Sequence, residues 1–225
     1  MKRVNVRIHP TAEVSEQAEI GEGTSIWHQA QVREGTRIGR DCILAKGVYV
    51  DAGVTLGDNV KVQNYVSIYH GVIIEDGVFC GPHCVFTNDK RPRAINADGS
   101  LKAADDWVLG PTLVKRGAAI GANAVVVCGV TVGEWAMVGS GAVVSRNVPD
   151  HGLVWGNPAR LHGFVWSCGR RLAGDGEARG QGDKKARRQG DKETRGQGGG
   201  ETVRLQCSEC GARVEVLESD LEGVK

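Results

Sequence analysis

Long apolar runs are missing from this 225-residue chain, and aromatic residues are scarce. No stretch of about 18 consecutive apolar residues occurs, so no membrane-spanning helix is expected. Aromatic residues make up only 5% of the chain, which suits a narrow core filled by Val, Ile and Ala with little room for rings. A surplus of either charge is also missing: 28 basic and 27 acidic residues leave a formal +1, and no strong pull on nucleic acid or on a membrane surface follows. The opening MKRVNVRIHP runs directly into a repeat, so neither a signal peptide nor a spanning helix is expected, and the expected compartment is the cytoplasm. Seven cysteines are an odd number, and Cys42, Cys80 and Cys84 fall at core positions of that repeat, where they replace Val or Ala as buried free thiols.

What the chain does contain is a period of six. From Ile8 to Phe86, fourteen successive sixth positions are apolar and the frame never slips. Four residues after them come small or β-branched residues, among them Ala12, Ala18, Thr24, Cys42, Val48, Val54, Val60 and Cys84. The frame returns, shifted, at Val114, Ile120, Val126, Val132, Val138 and Val144. A helix face recurs at about 3.6 residues and a strand face at 2, so a strict six with two inward positions requires short strands joined by regular corners. That is an all-β parallel solenoid. Twenty hexads at three per triangular coil make six to seven coils, and at roughly 4.8 Å per coil the prism is about 30 Å long. Gly21, Gly39, Gly57, Asn59, Gly121, Gly133 and Gly139 recur where corners belong.

The solenoid accounts for residues 1–165, interrupted by an extruded loop over 87–113; residues 166–173 form a connector containing Cys168. Over 174–200 the chain is Gly-, Gln- and charge-rich with only Ala178 and Ala186 as apolar groups, which predicts a flexible linker. Its net charge of only +2 argues against a nucleic-acid tail. The last segment, 201–225, carries a Cys207-Ser-Glu-Cys210-Gly211 knuckle between strand-like stretches, for which Cys168-Gly169 is half a partner.

Residues eighteen apart lie on adjacent coils, so His70 stacks beside Asn88, each two residues past a core position and pointing outward from one edge. The repeat stops directly after Asn88. A long excursion in so regular a scaffold is usually functional. It brings Lys90, Arg91, Arg93 and Lys102, suited to anionic oxygens, and Trp107, suited to a ring or a neighbouring subunit. His83 stacks on Tyr65 and Gly47 at another edge and reads as structural; His28, between Pro10 and Lys46, reads as a subunit contact; His9, His151 and His162 carry no signal.

The hexads, with IWHQAQVREG (26–35), VQNYVSIYHGVIIEDGVFCGPHCVFTND (62–89), RPRA (91–94) and GNPAR (156–160), resemble the hexapeptide-repeat acyltransferases, and within them the enzymes that N-acetylate nucleotide-linked 3-amino sugars. The resemblance implies a left-handed parallel β-helix, a handedness opposite to the general crossover rule. It implies a homotrimer with sites between neighbouring prisms, acetyl-coenzyme A as co-substrate, and a UDP- or dTDP-linked amino sugar as acceptor, used in surface polysaccharide or related glycoconjugate assembly. Nucleic acid and membrane are not expected partners. By the same resemblance Asn88 orients the amine or steadies the tetrahedral intermediate, while His70 is a general base, a substrate hydrogen-bonding group or an inert imidazole. Relatives often carry an acidic residue in place of His70. Coenzyme A would lie along small residues at Gly121, Ala122, Gly139 and Ser140, with Lys115 and Arg160 near its phosphates. Some relatives carry a further cysteine two residues before Cys168, completing a four-thiolate zinc ribbon; here Trp166 stands in that place, so Cys168, Cys207 and Cys210 with His162 or water either hold structural zinc or are the remnant of such a site.

Other classes remain open: a hexapeptide acyltransferase for another small acceptor, or a non-catalytic trimeric scaffold. The γ-type carbonic anhydrases share the fold but need two histidines five apart, and Asn88 stands five after His83. That substitution argues against metal-dependent hydration.

Overall fold

The computed structural model describes residues 5–174, 202–207 and 209–221. Each expected hexad forms a strand of two or three residues, and the strands stack in register into three parallel sheets that face one another around a triangular core. The first face runs from Arg7–Ile8 through Ser25–Ile26, Lys61–Val62 and Phe79–Cys80 to Met137–Val138. Seven strands from Glu13–Val14 to Val143–Val144 make the second face, and six from Glu19–Ile20 to Thr131–Val132 the third. Gly152–Gly156 adds an eighth parallel rung to the first face, so the solenoid closes a seventh coil and begins another. Ala159–Phe164 then reverses and pairs antiparallel with that rung.

The register is eighteen residues per coil below the loop, with Ile68 on Phe86, and forty across it, with Phe86 on Val126. Inward residues form one continuous core from Ala18 to Val154, almost all at or near zero exposure. Thr24 and Thr36 occupy core slots at no cost in lost hydrogen bonds, because each hydroxyl donates to a carbonyl of the adjoining coil, of Gly39 and Asp51 respectively. Cys128 is buried like Cys42, Cys80 and Cys84.

The corners explain the glycines. A Cβ on Gly21 would lie 2.4 Å from the carbonyl carbon of Gly39, and one on Gly121 would lie 2.5 Å from the amide nitrogen of Ser140, so the next coil approaches too closely for any side chain. Left-handed corner positions take bulky residues where a ring can stack: Tyr65 (φ 59°) lies on Gly47 and against the ring of His83 at 5.1 Å. No helix among the described residues is long and apolar enough to cross a membrane.

The C-terminal part departs from the expected division. Leu172–Gly174, placed by the sequence in a connector and the start of a linker, is a strand that pairs antiparallel with Thr202–Cys207, which in turn pairs with Arg213–Leu217. This small sheet is not a free appendage. Its Leu205 and Val216 pack on Phe164, which is 1% exposed, at the end of the solenoid. The expected linker from 175 to 200 lies outside the described residues.

Candidate functional site

The edge between the second and third faces carries the richest chemistry. Because each coil repeats the same backbone path, outward residues at that edge form columns, and one column contains Glu34, Ala52, His70, Asn88, Cys128 and Arg146. His70 is exposed and Asn88 half-buried, on adjacent coils as the eighteen-residue spacing requires.

His70 is held on both sides. Its Nδ1 lies 2.6 Å from the carbonyl oxygen of Ala52 one coil below, an atom that only accepts, so Nδ1 donates there and Nε2 is the ring nitrogen left to meet a substrate. Its backbone N–H donates to Asp51 Oδ2 at 3.2 Å. Asp51 Oδ1 accepts from the amide of Ala52 at 2.8 Å, the Tyr49 hydroxyl at 3.0 Å and Arg33 Nη1 at 3.3 Å. Partial burial pushes the Asp51 carboxyl up, but those N–H and O–H donors with the Arg33 charge outweigh it and hold the group below its ordinary value. Arg33, Tyr49 and Asp51 were not among the residues singled out from the sequence. The signal that finds them is their place one coil below Asp51, Ser67 and Tyr69, with Asp51 one residue before the Ala52 that holds the imidazole.

The loop leaves this edge after Val85–Phe86 and returns at Thr112–Val114. Its stem is seated: Asp89 bridges Leu109, Gly110 N donates to the Asn88 carbonyl at 3.0 Å, and the Leu109 side chain covers Gly71, next to His70. Its tip is a hairpin joined at Ile95 and Leu101 and stapled by Asp106, whose carboxylate accepts from Ala103 N at 2.8 Å and Asn96 Nδ2 at 3.0 Å. Lys90 lies against Gly129 on the same edge as Asn88. Arg91 and Arg93 are exposed, and among the described residues no carboxylate pairs with Lys90, Arg91, Arg93 or Arg146. Arg146 extends the cationic edge two coils above Asn88, and counting eighteen back from it to Cys128, then forty across the loop to Asn88, would have found it. Lys102 instead donates to the Asp106 carbonyl at 2.9 Å, and Trp107 is half-buried in the loop.

The residues expected to hold coenzyme A lie elsewhere. Gly121, Ala122, Gly139 and Ser140 follow first-face strands and occupy the edge between the first and second faces. Lys115 follows a third-face strand, so it sits on the remaining edge, where its Nζ pairs with Asp150 Oδ1 at 3.3 Å. Arg160 is exposed on the antiparallel strand Ala159–Phe164. Gly121 lacks a side chain for the stacking reason that also applies at Gly21 and Gly39, and a Cβ on Gly139 would meet that of Trp155 at 2.8 Å. His83 does stack on Tyr65, and the register puts Pro10 and Lys46 one coil below and above His28, whose ring also meets that of His9 at 3.5 Å. His9, without signal in the sequence, is thereby part of a paired imidazole stack beside a shallow cleft lined by Thr11, His28, Gln29 and Lys46.

At the C-terminal end the three cysteines do meet. The sulfurs of Cys168, Cys207 and Cys210 all lie within 4.8 Å of one another. Backbone N–H groups of Cys210 and Glu209 point at the Cys207 sulfur and draw its thiol down to about 7. His162 does not join them: its ring stacks on Trp155 at 3.7 Å. Trp166 stacks on His151 at 5.2 Å.

Two family models match the solenoid: "Bacterial transferase hexapeptide (six repeats)" over residues 17–52 and 53–88, and "Hexapeptide repeat of succinyl-transferase" over 116–146. The matched stretches are the stacked coils on either side of the loop. Those coils carry the hexapeptide repeat. Among characterised relatives, the chain is 56% identical over 63 residues to the dTDP-3-amino-3,6-dideoxy-alpha-D-galactopyranose 3-N-acetyltransferase of Aneurinibacillus thermoaerophilus, covering 28% of this chain and 33% of that one. It is 32% identical over 124 residues to serine acetyltransferase 4 of Arabidopsis thaliana, covering 54% of this chain and 28% of the other. The chain thus spans about a third or less of the length of these relatives. Among solved structures, PerB from Caulobacter crescentus in complex with CoA and GDP-perosamine matches at 25% identity over 72% of this chain and 58% of its own, with a TM-score of 0.45.

Proposed function

We propose that the chain is an acetyl-coenzyme-A-dependent N-acetyltransferase acting on a nucleotide-activated amino sugar, UDP- or dTDP-linked, with the amine at the 3 position. The observation that carries this is the edge between the second and third faces: an imidazole with its tautomer fixed by Ala52, an amide one coil above it, and unpaired cations on the adjoining loop. The 63-residue likeness to an enzyme named for a dTDP-3-amino sugar supports the same acceptor class.

In this reading the diphosphate of the nucleotide lies among Lys90, Arg91 and Arg93, which neutralise it. The neutral sugar amine attacks the thioester carbonyl, forming the C–N bond. Asn88 donates to the oxyanion or orients the amine, His70 Nε2 accepts the proton that the nitrogen loses, and the C–S bond breaks to release coenzyme A. The departing thiolate then takes up a proton, so that amine and thioester become amide and free thiol. No step passes through the cysteine cluster.

Oligomeric state belongs to the same reading. His70 and Asn88 occupy one edge of the prism and Gly121, Ala122, Gly139 and Ser140 another, so if both sets serve one reaction, they come from different copies. A homotrimer forms three such grooves, one at each interface between copies. Lys115, committed to Asp150 on the third edge, is the weakest of the proposed phosphate contacts, and Arg160 is the better one. The soluble, cytoplasmic setting in which acetyl-coenzyme A and nucleotide sugars are found fits this chemistry.

The test is a thiol-release assay with acetyl-coenzyme A and a panel of UDP- and dTDP-linked amino sugars, with mass spectrometry of the product. Transfer to the amine of at least one nucleotide-linked 3-amino sugar, and not to serine, is expected. Transfer to serine alone, or to none of the panel, overturns the proposal.

A further inference from the structure

Outside the transfer site, the densest group of metal-ligating atoms in the described structure is the thiol cluster. Cys168 sits in a tight turn at 167–169, closed by Trp166 N donating to the Arg170 carbonyl and Gly169 N to the Trp166 carbonyl, both at 2.8 Å. Cys207 ends the strand Thr202–Cys207, and Cys210 lies in the turn after it, closed by Gly211 N donating to the Cys207 carbonyl at 3.0 Å. The two turns are brought face to face by the pairing of Leu172 with Cys207 and by an ion pair between Arg170 and Glu209 at 3.0 Å.

Distance decides what the cluster is built for. The sulfurs of Cys168 and Cys207 are 3.7 Å apart. A disulfide would need about 2.05 Å, whereas two thiolates bound at about 2.3 Å to a tetrahedral ion stand roughly 3.8 Å apart. Sulfur donors favour soft, thiophilic cations over hard ones. Among the described residues the group holds three ligands and no fourth, and the stretch 175–201 contains neither Cys nor His.

We infer that Cys168, Cys207 and Cys210 bind one soft divalent cation, zinc in the ordinary case, as a three-thiolate site whose fourth position is taken by an exchangeable solvent molecule. Loading exchanges three thiol protons for the ion and leaves the site with one net negative charge. Its structural effect is a staple. The ion ties the turn leaving the solenoid to the C-terminal sheet that covers Phe164, two segments whose cysteines are 39 residues apart in sequence. The site does not depend on acetyl transfer and stands if that reading fails.

Cobalt(II) alone, titrated into reduced, metal-free full-length protein, tests the inference. Tetrahedral thiolate coordination should appear as intense sulfur-to-cobalt absorption saturating at one ion per chain, and zinc should bleach it with the same stoichiometry. Imidazole or azide should shift the visible cobalt bands without releasing the metal, because the fourth position is open. Cys207→Ser and Cys210→Ser should abolish the near-ultraviolet band, while Cys80→Ala, in the solenoid core, should keep it. If a serine variant fails to fold, alkylation replaces it: zinc should protect Cys168 and Cys210, both exposed, in the unmodified protein. Absence of the band in folded protein, no protection by zinc, or a Cys168–Cys207 disulfide in protein that takes up no cobalt overturns the three-thiolate site. Bands unmoved by imidazole and azide overturn its open position.

Discussion

Two side chains one coil apart carry the proposed chemistry, and each makes a distinct prediction. With Nδ1 committed to the Ala52 carbonyl, the imidazole of His70 has one basic nitrogen left. His70→Ala should therefore lower kcat/KM by about 100-fold or more near neutral pH and remove the acidic limb of the pH profile. A change confined to KM would reassign His70 to substrate binding. Asn88→Ala should cost about tenfold or more in kcat/KM through loss of an oxyanion or orienting donor; an unchanged rate would place the chemistry elsewhere. Asp51 acts through its neighbours, as the acceptor for the His70 and Ala52 amides. Since its folded carboxyl titrates below the ordinary 3.8, its contribution to stability is fully present above that pH and is lost as the pH falls through the depressed value. Asp51→Asn should thus lower the melting temperature at pH 7, with a difference from wild type that shrinks on acidification, and should reduce kcat with little change in KM. Equal melting curves at pH 7 would show that the network does not hold the edge.

The element that repeats is a short strand plus a corner, and its tolerance is set by how close the next corner comes. Gly21 lies far from the proposed site, yet its missing Cβ would collide with backbone of Gly39. Gly21→Ala should cost about 1–3 kcal/mol by overpacking and leave catalytic constants unchanged, measured by denaturant unfolding and initial rates. A variant as stable as wild type would mean that the coils can separate, and that small residues at Gly121 and Gly139 reflect something other than stacking. The loop is a different kind of element. Its stem is fixed by Leu109 over Gly71, but Leu101 and Val108 at its outer part are 80% and 83% exposed, an apolar surface consistent with contact to another copy.

For the whole molecule, the separation of the two candidate edges makes assembly part of activity. Size-exclusion chromatography with light scattering should find a trimer, and fractions dissociated to monomer should lose turnover; a fully active monomer would confine the site to one edge of one chain. The C-terminal sheet should matter to stability and not to chemistry. Deleting 175–225 uncovers Phe164 and should cost about 1.5–3 kcal/mol, visible as a lower melting temperature, with acetyl transfer largely retained. Loss of transfer in a folded truncated protein would bring the tail into the active site.

The period of six was sufficient by itself to determine the solenoid, its three faces and its buried positions, because core slots on a prism are a one-dimensional pattern that local sequence carries. The stacking of His70 beside Asn88 followed from the same count, and so in principle did Arg146, once the loop is subtracted. What needed the tertiary structure was each contact that the period does not encode. The Ala52 carbonyl that fixes the His70 tautomer is a backbone atom with no side-chain signature. Lys115 is neutralised by Asp150, 35 residues on and beyond the last regular coils, and Leu172–Gly174, whose sequence resembles the start of a linker, became a strand only because Thr202–Cys207 lies alongside it. Spacing along the chain fixes neighbours only while the repeat continues; past its end, distance in space depends on which surfaces bury each other, and Phe164 under the C-terminal sheet is where that change occurs.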